Sequence, residues 1–81
     1  MIYPSQIRAA RGLLDISQQE LARSSEVGLA TLRRIENSAE ELRVTVQVLL
    51  RIQRALENAG TVFIDQDEHN GPGVRLRQRL R

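Results

Sequence analysis

The feature that most constrains this chain is a pair of short helical segments joined by a tight connection. Ser17-Gln18-Gln19-Glu20 is a capping box, in which the serine hydroxyl accepts from the Glu20 amide, so a helix is predicted to begin there. That helix buries Leu21 and Ala22, and a connection over residues 25–28 follows. A second helix is predicted over residues 29–37. Two helices joined by so short a turn cross steeply, so the second projects as a ridge.

The second helix has one apolar side and one polar side. Leu32 and Ile35 are three residues apart and face the core, so Ala30, Arg33, Arg34 and Asn37 face away from it, with Leu29 near the protruding end. Arginine and asparagine reach guanine, adenine and phosphate, and a ridge of this width fits the major groove of DNA. A solvated helix face in an all-α domain has the same periodicity, so the pattern alone leaves both interpretations open.

The block Ser17-Gln18-Gln19-Glu20-Leu21-Ala22, followed by Val27 and the run Thr31-Leu32-Arg33-Arg34-Ile35-Glu36-Asn37, resembles a known helix-turn-helix. It is similar to that of the lambda repressor/Cro-like family of phage and bacterial regulators, which includes xenobiotic-response-element regulators and many antitoxins. The resemblance covers about residues 5–59. It implies a mainly α fold, a lambda-repressor-like domain of four to five helices that binds double-stranded DNA at specific sequences.

The outward side of the second helix and the family resemblance together predict the DNA-binding residues: Gln18, Leu29, Ala30, Thr31, Arg33, Arg34, Asn37 and Arg43. By position in the family, Gln18 would contact a phosphate and brace the recognition helix. Leu29, Ala30 and Arg34 fall where relatives contact bases, whereas Thr31 or Arg33 would meet the DNA backbone. Apolar Leu29 and Ala30 offer only contact with a thymine methyl, so specificity would depend on Arg34.

Two further positions carry implications from the same resemblance. Arg11 and Glu36 are implied to form a structural ion pair between the first and third helices. In the loop after the recognition helix, Glu40 and Glu41 depart from the family, because they would repel phosphate where relatives often carry basic residues. Arg43 is then the nearest basic substitute.

Two more helices are predicted. The first begins at Pro4 or Ser5 and ends near Asp15. Its apolar positions recur at helical spacing and face inward: Ile7, Ala10, Leu13 and Leu14. Gln6, Arg8 and Ala9 are then expected to face outward. A long helix runs from the cap Thr45 to about Ala59, with Gly60 as its stop. It carries two apolar stripes. We expect the first, Val46, Leu49, Leu50, Gln53 and Leu56, to pack on the other helices. The second, Val48, Ile52, Ala55 and Ala59, is left for the C-terminal segment or a second protomer.

The C-terminal segment changes to a β-type pattern. Residues 61–64 form a short β-type run, residues 74–81 alternate strictly, and Gly71-Pro72-Gly73 marks a turn between them. We predict a C-terminal β-hairpin or strand arm. The chain thus divides into a DNA-binding domain over residues 1–60 and an arm over residues 61–81 that serves dimerisation or partner binding.

Composition excludes several classes of site. The chain has no cysteine and one histidine, so it has no disulfide framework and no thiolate metal site. Asp65, Asp67, Glu68 and His69 lie on one turn without a second histidine, and we expect them to keep the loop solvated. With 81 residues and no apolar run of about 20, we expect no catalysis, no cofactor and no membrane span, and a cytoplasmic location.

The basic residues make nucleic acid a candidate partner, and the small size of the reading head favours a homodimer. All 12 basic residues are arginine, which suits phosphates and base edges but also follows from base composition in the genome. One small reading head makes few base contacts, so a homodimer on a two-fold operator is expected, acting most simply as a repressor. The alternative is an antitoxin whose arm binds a toxin and whose DNA binding is autoregulatory. The sequence leaves both open.

Overall fold

The computed structural model describes residues 1–38 and 44–80. Within them lie four helices followed by two strands: α1 Pro4–Leu14, α2 Gln18–Ser25, α3 Leu29–Glu36, α4 Val46–Ala59, β1 Thr61–Ile64 and β2 Gly73–Leu76. The strands pair antiparallel, with Thr61 opposite Leu76 and Ile64 opposite Gly73. This architecture confirms the predicted mainly α, lambda-repressor-like fold with a C-terminal β-hairpin.

Local signals in the sequence set the helix ends. The Ser17 hydroxyl accepts from the Glu20 amide at 3.0 Å, and the Thr45 hydroxyl accepts from the Val48 amide at 3.2 Å. Each bond satisfies one of the amides that the first turn of a helix leaves without a partner. Helix α1 ends at Leu14, and its C-cap Asp15 adopts the left-handed conformation with φ of 56°. The predicted starts and stops of the helices are therefore confirmed.

The core lies between the four helices and is closed by the hairpin. Its fully buried members come from every helix: Ile7, Ala10, Leu21, Leu32, Ile35, Ile52 and Leu56. Phe63 of β1 and Val74 of β2 pack against this cluster, and Thr61 is completely buried, where its hydroxyl donates to the Leu56 carbonyl at 2.8 Å. The hairpin therefore lies on the helices instead of extending away from them.

One polar residue of α1, Gln6, faces the interior, although the sequence pattern predicts that it faces solvent. Its Nε2 donates to the Gly73 carbonyl at 2.8 Å, and its Oε1 accepts from the Tyr3 amide at 2.8 Å. The expectation was wrong because the hairpin covers this side of α1 and supplies the polar partners that a buried amide needs.

The assignment of the two stripes on α4 was wrong in part. Leu49 and Leu56 of the first stripe are buried, but Val46 and Leu50 are exposed. The core instead takes the middle of the second stripe, Ile52 and Ala55, with Val48 half-buried beside it. The buried face of α4 thus lies between the two stripes.

The second strand is shorter than its sequence pattern predicts. The alternation continues to Arg81, but β2 ends at Leu76. Beyond it, the Arg77 amide donates to the Gly60 carbonyl at 2.8 Å, and the Arg77 guanidinium donates to the Glu57 carbonyl at 2.7 Å. Because β1 begins at Thr61, no further partner strand is present for residues 78–80, while Arg81 is outside the described residues.

Candidate nucleic-acid interface

Three residues join α2 to α3. Glu26 adopts the left-handed conformation with φ of 57°, and the Val27 amide reaches back to the Ala22 carbonyl at 3.0 Å. Val27 is buried, so it fixes the turn on the core. A left-handed residue followed by a buried apolar one ends a helix abruptly and redirects the chain. The turn therefore holds α3 at a fixed angle to α2.

The inner side of α3 is anchored at two apolar positions and at one charged position. Leu32 and Ile35 are completely buried, as the pattern predicted. Glu36, the last residue of the helix, is also buried, at 1% exposure. A buried carboxylate needs a counter-charge, and Arg11 of α1 provides it.

The ion pair expected between Arg11 and Glu36 is present in the structure. The Arg11 Nε donates to Glu36 Oε2 at 2.8 Å and its Nη2 donates to Oε1 at 2.7 Å, so the pair is bidentate. The third nitrogen, Nη1, donates to the Ile16 carbonyl at 3.1 Å. The hydrogen bonds to Glu36 raise the pKa of Arg11 above its ordinary value, and burial opposes them only in part. The pair ties the end of α3 to α1.

Sequence reasoning missed a second arginine at the same place. Arg8 was expected only to face outward, but its guanidinium donates to the backbone carbonyl of Glu36. Arg8 and Arg11 are three residues apart on α1, so they share a side of the helix. Cations close to the last carbonyls of a helix also favour its dipole. That spacing was a usable signal for a two-arginine clamp on the end of α3.

The outer side of α3 presents the predicted polar face. Ala30, Arg33, Arg34 and Asn37 are exposed. The guanidinium groups of Arg33 and Arg34 make no hydrogen bond or ion pair with any residue in 1–38 or 44–80. Their charges are therefore not committed to other groups in the described chain.

The other predicted DNA-binding residues are less exposed than the outer side of α3 or lie outside the described residues. Leu29 is half-buried and packs on the core cluster, so it is less prominent than expected, and Thr31 is also half-buried. Gln18 is the first residue of α2 and is half-buried. The prediction for Arg43, with its neighbours Glu40 and Glu41, falls outside the described residues.

The start of α3 has no side-chain cap. Its N-cap residue is Gly28, which has no side chain to accept from the first amides of the helix, whereas α2 and α4 have the hydroxyls of Ser17 and Thr45 in this role. Uncapped amides and the helix dipole favour an anion at this end. The exposed arginines of α3 and the start of the helix therefore both favour a negatively charged partner.

A family model described as helix-turn-helix matches residues 7–59, which includes α1 to α4 almost entirely. The chain belongs to the lambda repressor/Cro-like helix-turn-helix family. Members of this helix-turn-helix family are DNA-binding transcription regulators, and the protein is of this kind. No curated protein matches the chain.

The acidic turn of the hairpin is built by local hydrogen bonds. The Asp67 carboxylate accepts from the amides of His69 and Asn70 at 2.8 Å and 2.7 Å, and these bonds lower the pKa of Asp67. The Nε2 atom of His69 lies 3.1 Å from Oε1 of the adjacent Glu68, and both side chains are exposed. Among the residues that the structure describes, no group of three or more acidic or histidine side chains is arranged to hold a metal ion. None of the described helices has the length and apolar character of a membrane span.

Proposed function

We propose that this helix-turn-helix protein binds double-stranded DNA at specific sequences as a homodimeric, cytoplasmic repressor. Helix α3 enters the major groove, and Arg34 reads a base edge. Arg33 and Thr31 contact the DNA backbone, together with Gln18 and Arg43. Leu29 and Ala30 offer apolar contact, and Asn37 lies at the far end of the helix.

One observation carries the proposal. Arg33 and Arg34 are exposed side by side on a helix whose opposite side is fixed by Leu32, Ile35 and the buried Glu36. A rigid helix keeps its arginines in a constant geometry, which is what discrimination between base pairs requires. A merely solvated face does not need the two-arginine clamp that fixes the end of α3.

The dimer follows from the size of the reading head. Helix α3 has eight residues, so one copy reaches few bases. Two copies related by a two-fold axis read half-sites about one helical turn of DNA, roughly 34 Å, apart and multiply their affinities. A repressor is the simplest outcome, because a dimer bound over a promoter excludes polymerase.

An antitoxin is the second candidate, and the arm supplies the observation that favours it. Residues 77–80 lie beyond β2, and the Leu80 side chain is 83% exposed. An apolar side chain flanked by arginines suits a protein partner. Co-purification of a small protein bound through this arm supports the antitoxin, and a chain that purifies alone and still represses supports the simple regulator.

Selection of bound duplexes from a random pool tests the main proposal. We expect enrichment of a two-fold sequence, with affinity that falls steeply with salt because phosphate contacts release counterions. The selected site is then placed over a reporter promoter, where expression should fall when the protein is present. Equal binding to all duplexes would refute the sequence-specific function.

A further inference from the structure

The outer edge of β2 carries backbone groups without partners. The bond from the Arg77 amide to the Gly60 carbonyl extends the hairpin ladder by one pair. Hydrogen-bonded and non-bonded pairs alternate in an antiparallel ladder, so the amides and carbonyls of Val74 and Leu76 point away from β1. No hydrogen bond from elsewhere in residues 1–38 or 44–80 reaches them.

We propose that this edge pairs with β2 of a second copy, antiparallel, to make a four-stranded sheet across the two-fold axis. The inference rests on the proposed homodimer and names the surface that forms it. A two-stranded hairpin leaves its edges open, and pairing of edges between copies satisfies their polar groups.

The positions of the arginines select one register of pairing. If the two-fold axis passes beside Arg75, that residue lies directly opposite the partner's Arg75. If the axis passes beside Leu76, Arg75 lies opposite the partner's Arg77. Like charges directly opposite one another oppose pairing. An axis beside Val74 places Arg75 opposite the partner's Gly73 and avoids both repulsions.

The neighbours of Gly73 fit this register. Ile64 is 45% exposed, and a Cβ built at Gly73 would lie 3.8 Å from the Ile64 side chain. The absence of a side chain at Gly73 leaves this part of the outer face open. The aliphatic stem of the partner's Arg75 can then cover Ile64 while its guanidinium stays in water.

Charge complementarity extends beyond the strands. In the Val74 register the segment after β2 runs beside the hairpin turn of the other copy. The exposed Arg79 and the partner's exposed Glu68 then lie on the same side of the interface with opposite charges. Within residues 1–38 and 44–80, the ion pair of the Glu68 carboxylate is with its exposed neighbour His69, so the carboxylate stays accessible to a partner. The two-fold axis makes this attraction twice, so a second copy fits the edge better than a strand of arbitrary sequence.

Cysteine crosslinking tests the register, because the natural chain has no cysteine. Residues 73 and 75 would form a non-bonded pair across the new interface, with Cα atoms about 4.5 Å apart, which suits a disulfide. Gly73→Cys protein mixed with Arg75→Cys protein should give a covalent dimer under mild oxidation. Neither variant should do so alone.

Charge exchange tests the same surface independently. Arg79→Glu and Glu68→Arg should each raise the dimer Kd about threefold to tenfold, since each replaces two attractions by repulsions. The double variant Arg79→Glu/Glu68→Arg should return to the natural Kd. Arg23→Glu, on the exposed side of α2, is the control and should leave the dimer unchanged.

The outcomes separate this inference from the proposed homodimer. Crosslinking by Arg75→Cys alone would overturn the Val74 register. A natural chain that sediments as a dimer, but whose variants neither crosslink nor respond to charge exchange, would place the interface elsewhere and leave the homodimer intact. A chain that is monomeric both free and on its selected site would overturn the homodimer itself.

Discussion

The side-chain Nε2 of Gln6 donates a 2.8 Å hydrogen bond to the carbonyl oxygen of Gly73, and so joins the first turn of α1 to β2. The Oε1 of the same amide accepts from the Tyr3 backbone at 2.8 Å. Both ends of one buried side chain are thus satisfied by backbone groups that are remote from each other in sequence. The hairpin is held to the helices by this bond as well as by apolar packing.

Replacement of Gln6 should loosen the hairpin. Gln6→Ala removes the partners of the Gly73 carbonyl and the Tyr3 amide, and we expect the free energy of unfolding to fall by about 1–3 kcal/mol. Urea denaturation measures the change. Gln19→Ala, at an exposed position of α2, is the matched control and should change stability little. Equal effects of the two variants would show that the Gln6 bonds do not stabilise the fold.

Gln6 also shows where sequence reasoning stops. Of the apolar positions that the periodicity of α1 predicts, Ile7 and Ala10 are buried and Leu14 packs against the core, but Leu13 is 43% exposed, so its assignment to the inner side was wrong. The periodicity cannot reveal that a hairpin more than fifty residues later covers the neighbouring side. The bond from the Tyr3 amide is local, but the Nε2 group of Gln6 needs acceptors, and these are the carbonyls of Ile64 in β1 at 3.4 Å and Gly73 in β2 at 2.8 Å. No local pattern contains those two carbonyls.

The long helix α4 illustrates the same limit for apolar residues. Its cap at Thr45 and its stop at Gly60 could be predicted because they depend on local chemistry. The choice between its stripes depends on the angle at which α4 crosses the other helices, which the 3.6-residue period does not contain. The sequence pattern therefore predicts Val46 and Leu50 in the core, but in the structure they are exposed and Ile52 is buried there.

The candidate site could be predicted more fully than the packing. Once Leu32 and Ile35 face the core, the sides of Arg33, Arg34 and Asn37 are also determined, because the two arginines lie on the same short helix and Asn37 is its C-cap. Arg8 was missed because its partner is a backbone carbonyl at the end of α3, which no side-chain pattern identifies; the available signal was its three-residue spacing from Arg11 on the same side of α1.

Replacing Arg11 and replacing Glu36 should lower the free energy of unfolding by different amounts. Arg11→Ala leaves the Glu36 carboxylate, 1% exposed, without its counter-charge, and should cost on the order of 3–5 kcal/mol. Glu36→Gln should cost less, because the neutral amide can still accept from Arg11, whose side chain is 21% exposed and reaches water. Thermal unfolding of both variants measures the difference.

The control for this pair is Arg23→Ala, which removes an exposed arginine from α2. It should change stability by less than about 0.5 kcal/mol. If Arg11→Ala proved no more destabilising than Glu36→Gln, the buried carboxylate would not be the group that sets the cost.

Two glycines should respond oppositely to the same substitution. Gly60 ends α4 with φ of 121°, a conformation that strains any L residue, so Gly60→Ala should destabilise the protein by about 1–3 kcal/mol. Gly12 lies in α1 with open space around a Cβ, so Gly12→Ala should stabilise it by about 0.5–1 kcal/mol. Calorimetry of the two variants gives the signs directly, and a shift of the same sign in both would contradict the argument.

The DNA-binding proposal makes a distinct prediction for each of two polar side chains. Arg34→Ala removes a base contact, so it should cost about 1–3 kcal/mol on the selected site and relax the preference at one guanine in each half-site. Gln18→Ala removes a phosphate contact and should weaken binding to all duplexes by a similar factor. Fluorescence anisotropy with the selected site and its single-base variants measures both.

Two controls distinguish a loss of base recognition by Arg34 from a loss of stability. Arg34 is exposed and makes no bond within residues 1–38 and 44–80, so Arg34→Ala should unfold at the same temperature as the natural chain. Arg34→Lys retains the charge but not the planar fork, and should recover overall affinity without recovering the guanine preference. If the Arg34→Ala variant kept its full discrimination between bases, the base-reading role would belong to another residue of α3, with Asn37 the next to be replaced.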